Sequence, residues 1–168
     1  ITPMKKIIFL IICLWTIATT NAQSSLIPNN PFSHYKEGVS DSISVSLITY
    51  YPGSIMYELY GHAGIKIGFH NGSGVLYNYG IFDFNSPNFV YRFIKGETDY
   101  MIKGYSSEYM LRGYARRKVV EQVLNLTQEQ AYRAAEYLYN NALPWNATYR
   151  YNYVLDNCST RPRDVIEY

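Results

Sequence analysis

The sequence predicts an α+β domain, an antiparallel sheet packed with helices. Three observations point there. Residues 42–50 alternate apolar and polar, the mark of a half-buried strand. Residues 62–84 hold two strand-like runs joined by His70-Asn71-Gly72-Ser73-Gly74, a hairpin-type turn. Thr127 with Gln130 three positions on forms a capping-box pattern, and small and apolar residues come after it at helical spacing.

The chain of 168 residues opens with a secretory signal pattern. Met4-Lys5-Lys6 is a short basic start, Ile7 to Thr20 is an apolar run, and Thr20-Asn21-Ala22 offers small residues for cleavage after Ala22. That run is shorter than the roughly 18–20 residues a membrane span needs. Ile1-Thr2-Pro3 carry no information, and Cys13 is discarded with the signal. Residues 23–41, with Pro28, Pro31 and several Asn and Ser, read as a polar linker or arm.

The domain proper is expected over 42–168. In its first strand, Ile43, Val45 and Leu47 face one way and Ser42, Ser44 and Ser46 the other. Tyr51-Pro52-Gly53 ends it. The second strand, His62 to Phe69, puts Ala63, Ile65, Ile67 and Phe69 on one face and His62, Gly64, Lys66 and Gly68 on the other. Val75 to Phe84 returns as the third. Residues 85–105, with Pro87 and Gly96, read as a loop with short irregular pieces. Ser106 or Ser107 can cap a helix to about Arg116, and Lys118 to Leu126 reads as a strand. The Thr127 helix buries Ala131, Ala134, Ala135, Leu138 and Ala142, and Pro144 breaks the helical pattern beyond it. Tyr149 to Leu155 is aromatic and extended. A last helix starts after it, with Asp156, Asn157 or Ser159 as cap and Pro162 in the first turn. The chain stops at Tyr168 inside that helix, which we expect to mark a truncated reading of a longer protein.

Without Lys5 and Lys6, basic and acidic residues balance at 13 each, so nothing points to nucleic acid as a partner. The 19 tyrosines suit strands, interfaces or a membrane–water boundary. Arg116-Arg117-Lys118 reads as a solvated basic face that can also meet phospholipid headgroups.

Cysteine count carries the chemistry. After the signal only Cys158 remains, so no internal disulfide can form, and the thiol is buried, paired with another chain, or reactive. Asp156, Asn157, Ser159 and Thr160 around it are polar, which argues against a buried apolar role. A helix start would lower the thiol's pKa, and its backbone N–H groups could hold an oxyanion. The base is chosen from three histidines. His34 lies in the arm and His70 in a turn, both expected in solvent, whereas His62 opens a strand beside small residues, Gly61 and Gly64. A third group should orient the imidazole. Asn78 lies on the paired strand, with Asp83 and Glu58 as rivals. A zinc site would want three or four ligands at suitable spacing, which His62 and His70 do not supply, so no metal and no cofactor is expected.

Tyr60-Gly61-His62-Ala63-Gly64-Ile65-Lys66-Ile67, Tyr77-Asn78-Tyr79-Gly80-Ile81-Phe82-Asp83-Phe84 and Asp156-Asn157-Cys158-Ser159-Thr160-Arg161 together resemble the N-terminal periplasmic domain of the Lnb lipoprotein N-acyltransferase family. The resemblance spans about 42–168. It implies a papain-like thiol fold in permuted order, similar to NlpC-type and lecithin:retinol-acyltransferase-like enzymes, with Cys158 as nucleophile, His62 as base and Asn78 as the transferred orienting residue. It also implies a periplasmic, membrane-associated acyltransferase. A membrane phospholipid would donate an acyl chain to Cys158, and the N-terminal amine of a lipoprotein would accept it. Membrane-embedded segments would lie downstream. The alternatives are a cysteine hydrolase or amidase acting on peptide or cell-wall bonds, and an inactive periplasmic binding or scaffold domain.

Overall fold

The computed structural model describes residues 30, 32, 41–54, 58–83, 85–114 and 116–168. The signal segment and nearly all of the 23–41 arm, His34 included, lie outside the described residues. Among those described, the protein is α+β, with one six-stranded antiparallel sheet and four helices.

The elements run β1 (Ile43–Tyr50), β2 (His62–Phe69), β3 (Gly74–Ile81), α1 (Phe89–Ile94), β4 (Asp99–Ser106), α2 (Ser107–Gly113), β5 (Val119–Val123), α3 (Gln128–Asn141), β6 (Thr148–Arg150) and α4 (Thr160–Glu167). The strand order is β5-β1-β2-β3-β4-β6. β1 and β2 pair along their whole length, from Ile43 opposite Phe69 to Tyr50 opposite His62. β2 and β3 pair from Gly68–Gly74 to Ile65–Tyr77. Beyond that, β3 is irregular between Asn78 and Ile81, where its register against β4 shifts.

Both faces of the sheet are covered. Ile43, Val45, Ile65, Ile67, Tyr77, Tyr79 and Ile102 pack against α3 residues Ala131, Ala134, Ala135 and Leu138 and against Val165 of α4. Ile48, Tyr50 and Leu76 pack on the other face with Met110 of α2. The serine face of β1 is therefore only partly wet: Ser46 is buried, and Ile48 and Tyr50 continue that face under α2. α3 starts as its sequence requires. Gln130 N–H donates to Thr127 Oγ1 at 3.2 Å, and Thr127 N–H donates to Gln130 Oε1 at 2.9 Å, which satisfies two otherwise orphaned donors. Phe32, inside the stretch read as a polar arm, is buried, stacked on Phe69 at 6.5 Å and edge-on to Tyr139 at 6.2 Å.

The expected loop at 85–105 holds two regular elements. α1 ends in a Schellman closure, with Gly96 N–H on Phe93 O at 3.0 Å and Glu97 N–H on Arg92 O at 2.8 Å. Gly96 at φ 70° takes the left-handed position that closure needs. β4 then pairs with β3 and β6, turning Tyr100 and Ile102 inward. The aromatic run after Pro144 is strand only at β6. Asn152 and Asp156 form an isolated bridge around an exposed turn. The helix expected to reach Arg116 stops at Gly113.

Phe82, Phe89, Phe93, Tyr153, Tyr151 and Tyr100 close a ring of stacked and edge-on contacts, with successive centroids 4.2–5.9 Å apart. The ring ties α1 to the turn at residues 152–156, and that turn leads directly into Cys158.

Candidate active site

His62 is the first residue of β2, where the β2–β3 ladder has run out. Its Nε2 lies 2.7 Å from Asn78 Oδ1. The same Oδ1 accepts the Gly80 N–H at 2.7 Å. A backbone N–H can only donate, so the Asn78 atom it meets must be the oxygen. An oxygen facing Nε2 in turn requires a proton on Nε2. Neutral His62 is thus held in the Nε2–H tautomer, and the lone pair is on Nδ1. The β3 irregularity makes this possible, because it frees the Gly80 N–H from the ladder and turns it onto Asn78.

Asn78 is 2% exposed. Gly80 has no room for a side chain: a Cβ there would stand 2.6 Å from His62 Cε1 and 3.1 Å from Asn78 Oδ1. The Tyr50 ring also stacks on the imidazole, with centroids 5.6 Å apart and planes at 27°. Burial is the main cause that pushes His62 down to about 4; the Asn78 bond acts upward and the Arg117 charge downward. At neutral pH the ring is uncharged.

Cys158 sits in the turn before α4, which packs against β2 and α3. Asn157 builds that turn. Its Oδ1 accepts Ser159 N–H at 2.9 Å and Thr160 N–H at 3.1 Å, and its own N–H donates to Thr160 Oγ1 at 2.8 Å. Asn157 Nδ2 donates to Tyr153 O at 3.0 Å, tying back the exposed turn. Asp156 and Arg161 form a bidentate pair, with Arg161 Cζ 4.5 Å over the Tyr149 ring. Ser159 occupies the cap position without a side-chain cap bond, and Asn157 serves that role from two residues upstream.

The half-buried Cys158 thiol is pushed up by burial. The Ser159 hydroxyl, the Ala63 backbone N–H and its own N–H act in the opposite direction. Ala63 is the residue after His62, so the turn meets β2 at the histidine. The depressed thiol pKa expected of a helix start is absent from the resting site, because desolvation outweighs the local donors. Two further N–H groups of the helix start are taken, because Asn157 Oδ1 accepts those of Ser159 and Thr160.

The rival orienting residues lie elsewhere. Asp83 Oδ1 accepts Asn85 N–H at 2.9 Å, a local turn contact. Glu58 pairs with Arg117 at 3.6 Å. His70 is exposed in the β2–β3 turn. Arg117 corrects the reading of a solvated basic triplet: its side chain is 6% exposed and Nε donates to Tyr51 O at 2.8 Å. Sequence reasoning missed Gly80 and Tyr50 as site residues. The signal for Gly80 was a glycine two places after Asn78 in a strand, where glycine marks close approach. Among the described residues, no three His, Cys, Asp or Glu side chains gather to hold a metal, and no helix is long and apolar enough to cross a membrane.

No curated protein and no solved structure matches the chain. The family model of the Lnb N-terminal periplasmic domain matches residues 33–168, and with nearly the whole described domain inside that match, the chain belongs to this family.

Proposed function

We propose that this periplasmic domain is a cysteine-dependent acyltransferase with a permuted papain-like arrangement, in which Cys158 carries the acyl group, His62 moves the proton and Asn78 orients His62. The observation that carries this reading is the tautomer lock. Asn78 and Gly80 commit Nε2 as donor and leave Nδ1 as the proton acceptor, on the residue that adjoins the N–H facing the thiol.

With thiol and imidazole both neutral at rest, the first step is general-base catalysis. Cys158 Sγ attacks the ester carbonyl of a phospholipid as His62 Nδ1 takes the thiol proton. The tetrahedral oxyanion is met by the Cys158 N–H, the turn donor that Asn157 leaves free. Collapse breaks the ester C–O bond, and His62 returns the proton to the departing alcohol. In the second step a lipoprotein's α-amino group attacks the thioester, His62 takes the amine proton, and the thiol is restored as the amide forms. The reaction consumes no redox equivalent and needs no cofactor.

Apolar exposure around the site favours a lipid donor. α1 reads Phe-Val-Tyr-Arg-Phe-Ile and none of its residues is fully buried. Val154 and Leu155, just before Cys158, are 77% and 76% exposed, and Leu59 and Tyr60, just before His62, are also exposed. A membrane surface would cover them.

The test is mass spectrometry after incubation with vesicles of labelled phosphatidylethanolamine and phosphatidylglycerol. We expect a hydroxylamine-sensitive acyl mass on the Cys158 peptide and none in Cys158→Ala. An equal mass in the variant, or none in the wild type, overturns the reading. Release of peptides from cell wall instead would assign a hydrolase.

A further inference from the structure

Arg117 lies in the segment between α2 and β5, with its guanidinium turned inward. Nη1 is 3.6 Å from Glu58 Oε1, Nε donates to Tyr51 O at 2.8 Å and Nη2 to Tyr50 O at 3.4 Å. These bonds fix the end of β1. The guanidinium carbon also stands over two rings, 5.9 Å from the centre of Tyr50 and 5.4 Å from that of Tyr114. Those rings are 4.2 Å apart. Tyr50 also stacks on His62. A chain of contacts results, from Arg117 and Tyr114 to Tyr50, from Tyr50 to the imidazole and from the imidazole to Gly80.

Tyr50 is 1% exposed and its hydroxyl has no hydrogen-bond partner among the described residues, so the ring, and not the hydroxyl, makes the contacts that hold this stack together. A buried arginine is likewise retained only when its partners are in place, and here they all lie at the β1 end that faces His62.

We infer that Arg117 is a positioning residue for His62, acting through the Tyr50 ring to clamp the imidazole against Asn78 and Gly80. This rests on the reading of His62 as the base for Cys158. The groups around His62 are Tyr50 from β1, Asn78 and Gly80 from β3 and Arg117 from the segment after α2; Tyr114 reaches it through Tyr50 and Glu58 through Arg117, and the Cys158 thiol meets the N–H of the next residue, Ala63. Among these described groups Arg117 is the only cation, and it disfavours a second positive charge on the imidazole. Glu58 tempers that effect by pairing with it.

The test tracks the His62 imidazole by NMR across pH, alongside iodoacetamide alkylation of Cys158; neither needs an acyl donor. In Arg117→Gln we expect the His62 midpoint to rise by about one unit and the ring contacts between His62 and Tyr50 to weaken. Tyr50→Phe, which keeps the ring, should leave both unchanged. Glu58→Gln, which unmasks the cation, should move the midpoint the opposite way and serves if Arg117→Gln does not fold. A folded Arg117→Gln with wild-type midpoint and ring contacts, or a Glu58→Gln midpoint that does not fall, overturns the proposal. Should His62 respond to Arg117 while Cys158 alkylation is indifferent to His62→Gln, the clamp stands and the thiol–imidazole reading falls.

Discussion

Gly80 is the residue on which the candidate site is least forgiving. Its missing side chain is the space in which His62 sits, since a Cβ would come within 2.6 Å of Cε1. Gly80→Ala keeps the backbone N–H that holds Asn78 but displaces the imidazole. A shift of about 1 Å at a catalytic group can cost roughly 100-fold. We therefore expect Gly80→Ala to slow Cys158 acylation by about that factor while far-UV circular dichroism stays unchanged. Wild-type acylation in the variant would mean the imidazole has no strict place. At this scale the sequence was partly legible. His62 could be reached by elimination, because the other two histidines sit in an arm and a turn, and Asn78 could be placed on the neighbouring strand. Arg117 could not. A basic triplet after a helix looks solvated, and only the tertiary fold shows that its middle member turns under Tyr50. The thiol's upward shift was hidden for the same reason: the local polar residues argue for a low value, and burial beneath other elements argues for a high one.

At the scale of elements, the sheet's centre was readable and its far edge was not. β1, β2 and the start of β3 carry long alternations with a clear turn between them. β4 buries only Tyr100 and Ile102 fully, too few to display a period of two beside Gly104 and Gly96. α1 is six residues long and its cap residue, Asn88, is left-handed and makes no side-chain cap bond, so neither length nor a start signal marks it. Its composition is that of a buried helix although nothing in it is buried. That mismatch leads to a prediction. α1 and the turn carrying Val154 and Leu155 are joined through Phe93 and Tyr153, whose rings meet at 5.3 Å and whose Tyr153 hydroxyl donates to Phe93 O at 3.1 Å. Lys95 Nζ lies 4.7 Å over the Tyr91 ring, a cation beside exposed apolar groups. Each apolar side chain transferred into lipid is worth about 1.5–3 kcal/mol. Val154→Asp with Leu155→Asp should lower co-sedimentation with phospholipid vesicles by tenfold or more, with an unchanged melting temperature. Equal sedimentation would show that this rim does not meet lipid.

Across the whole molecule, both faces of one sheet are covered, and buried tyrosines run through both cores up to the candidate site. Tyr50, Tyr77, Tyr79, Tyr100 and Tyr149 are all buried and held neutral by desolvation. The Tyr149 hydroxyl reaches the Tyr79 carbonyl at the β3 irregularity, so the same packing that closes the core also supports the strand that carries Asn78 and Gly80. Such a dry setting couples the site to global stability. His62 titrates near 4 when folded and near its ordinary 6.5 when unfolded. Between those values the unfolded chain binds the proton and the folded one does not. Stability from this residue is therefore complete above about pH 6.5 and drains away as pH falls toward 4. A gap of this size corresponds to ~3 kcal/mol. Glutamine at position 62 can still hydrogen-bond to Asn78 but cannot be protonated. Urea unfolding at pH 7 and pH 4.5 should thus show the wild type losing about 2–3 kcal/mol more than His62→Gln over that interval. The carboxylates titrate in both proteins and cancel in the difference. Equal losses would mean that His62 is open to water in the folded protein and that the dry packing around it does not set its protonation.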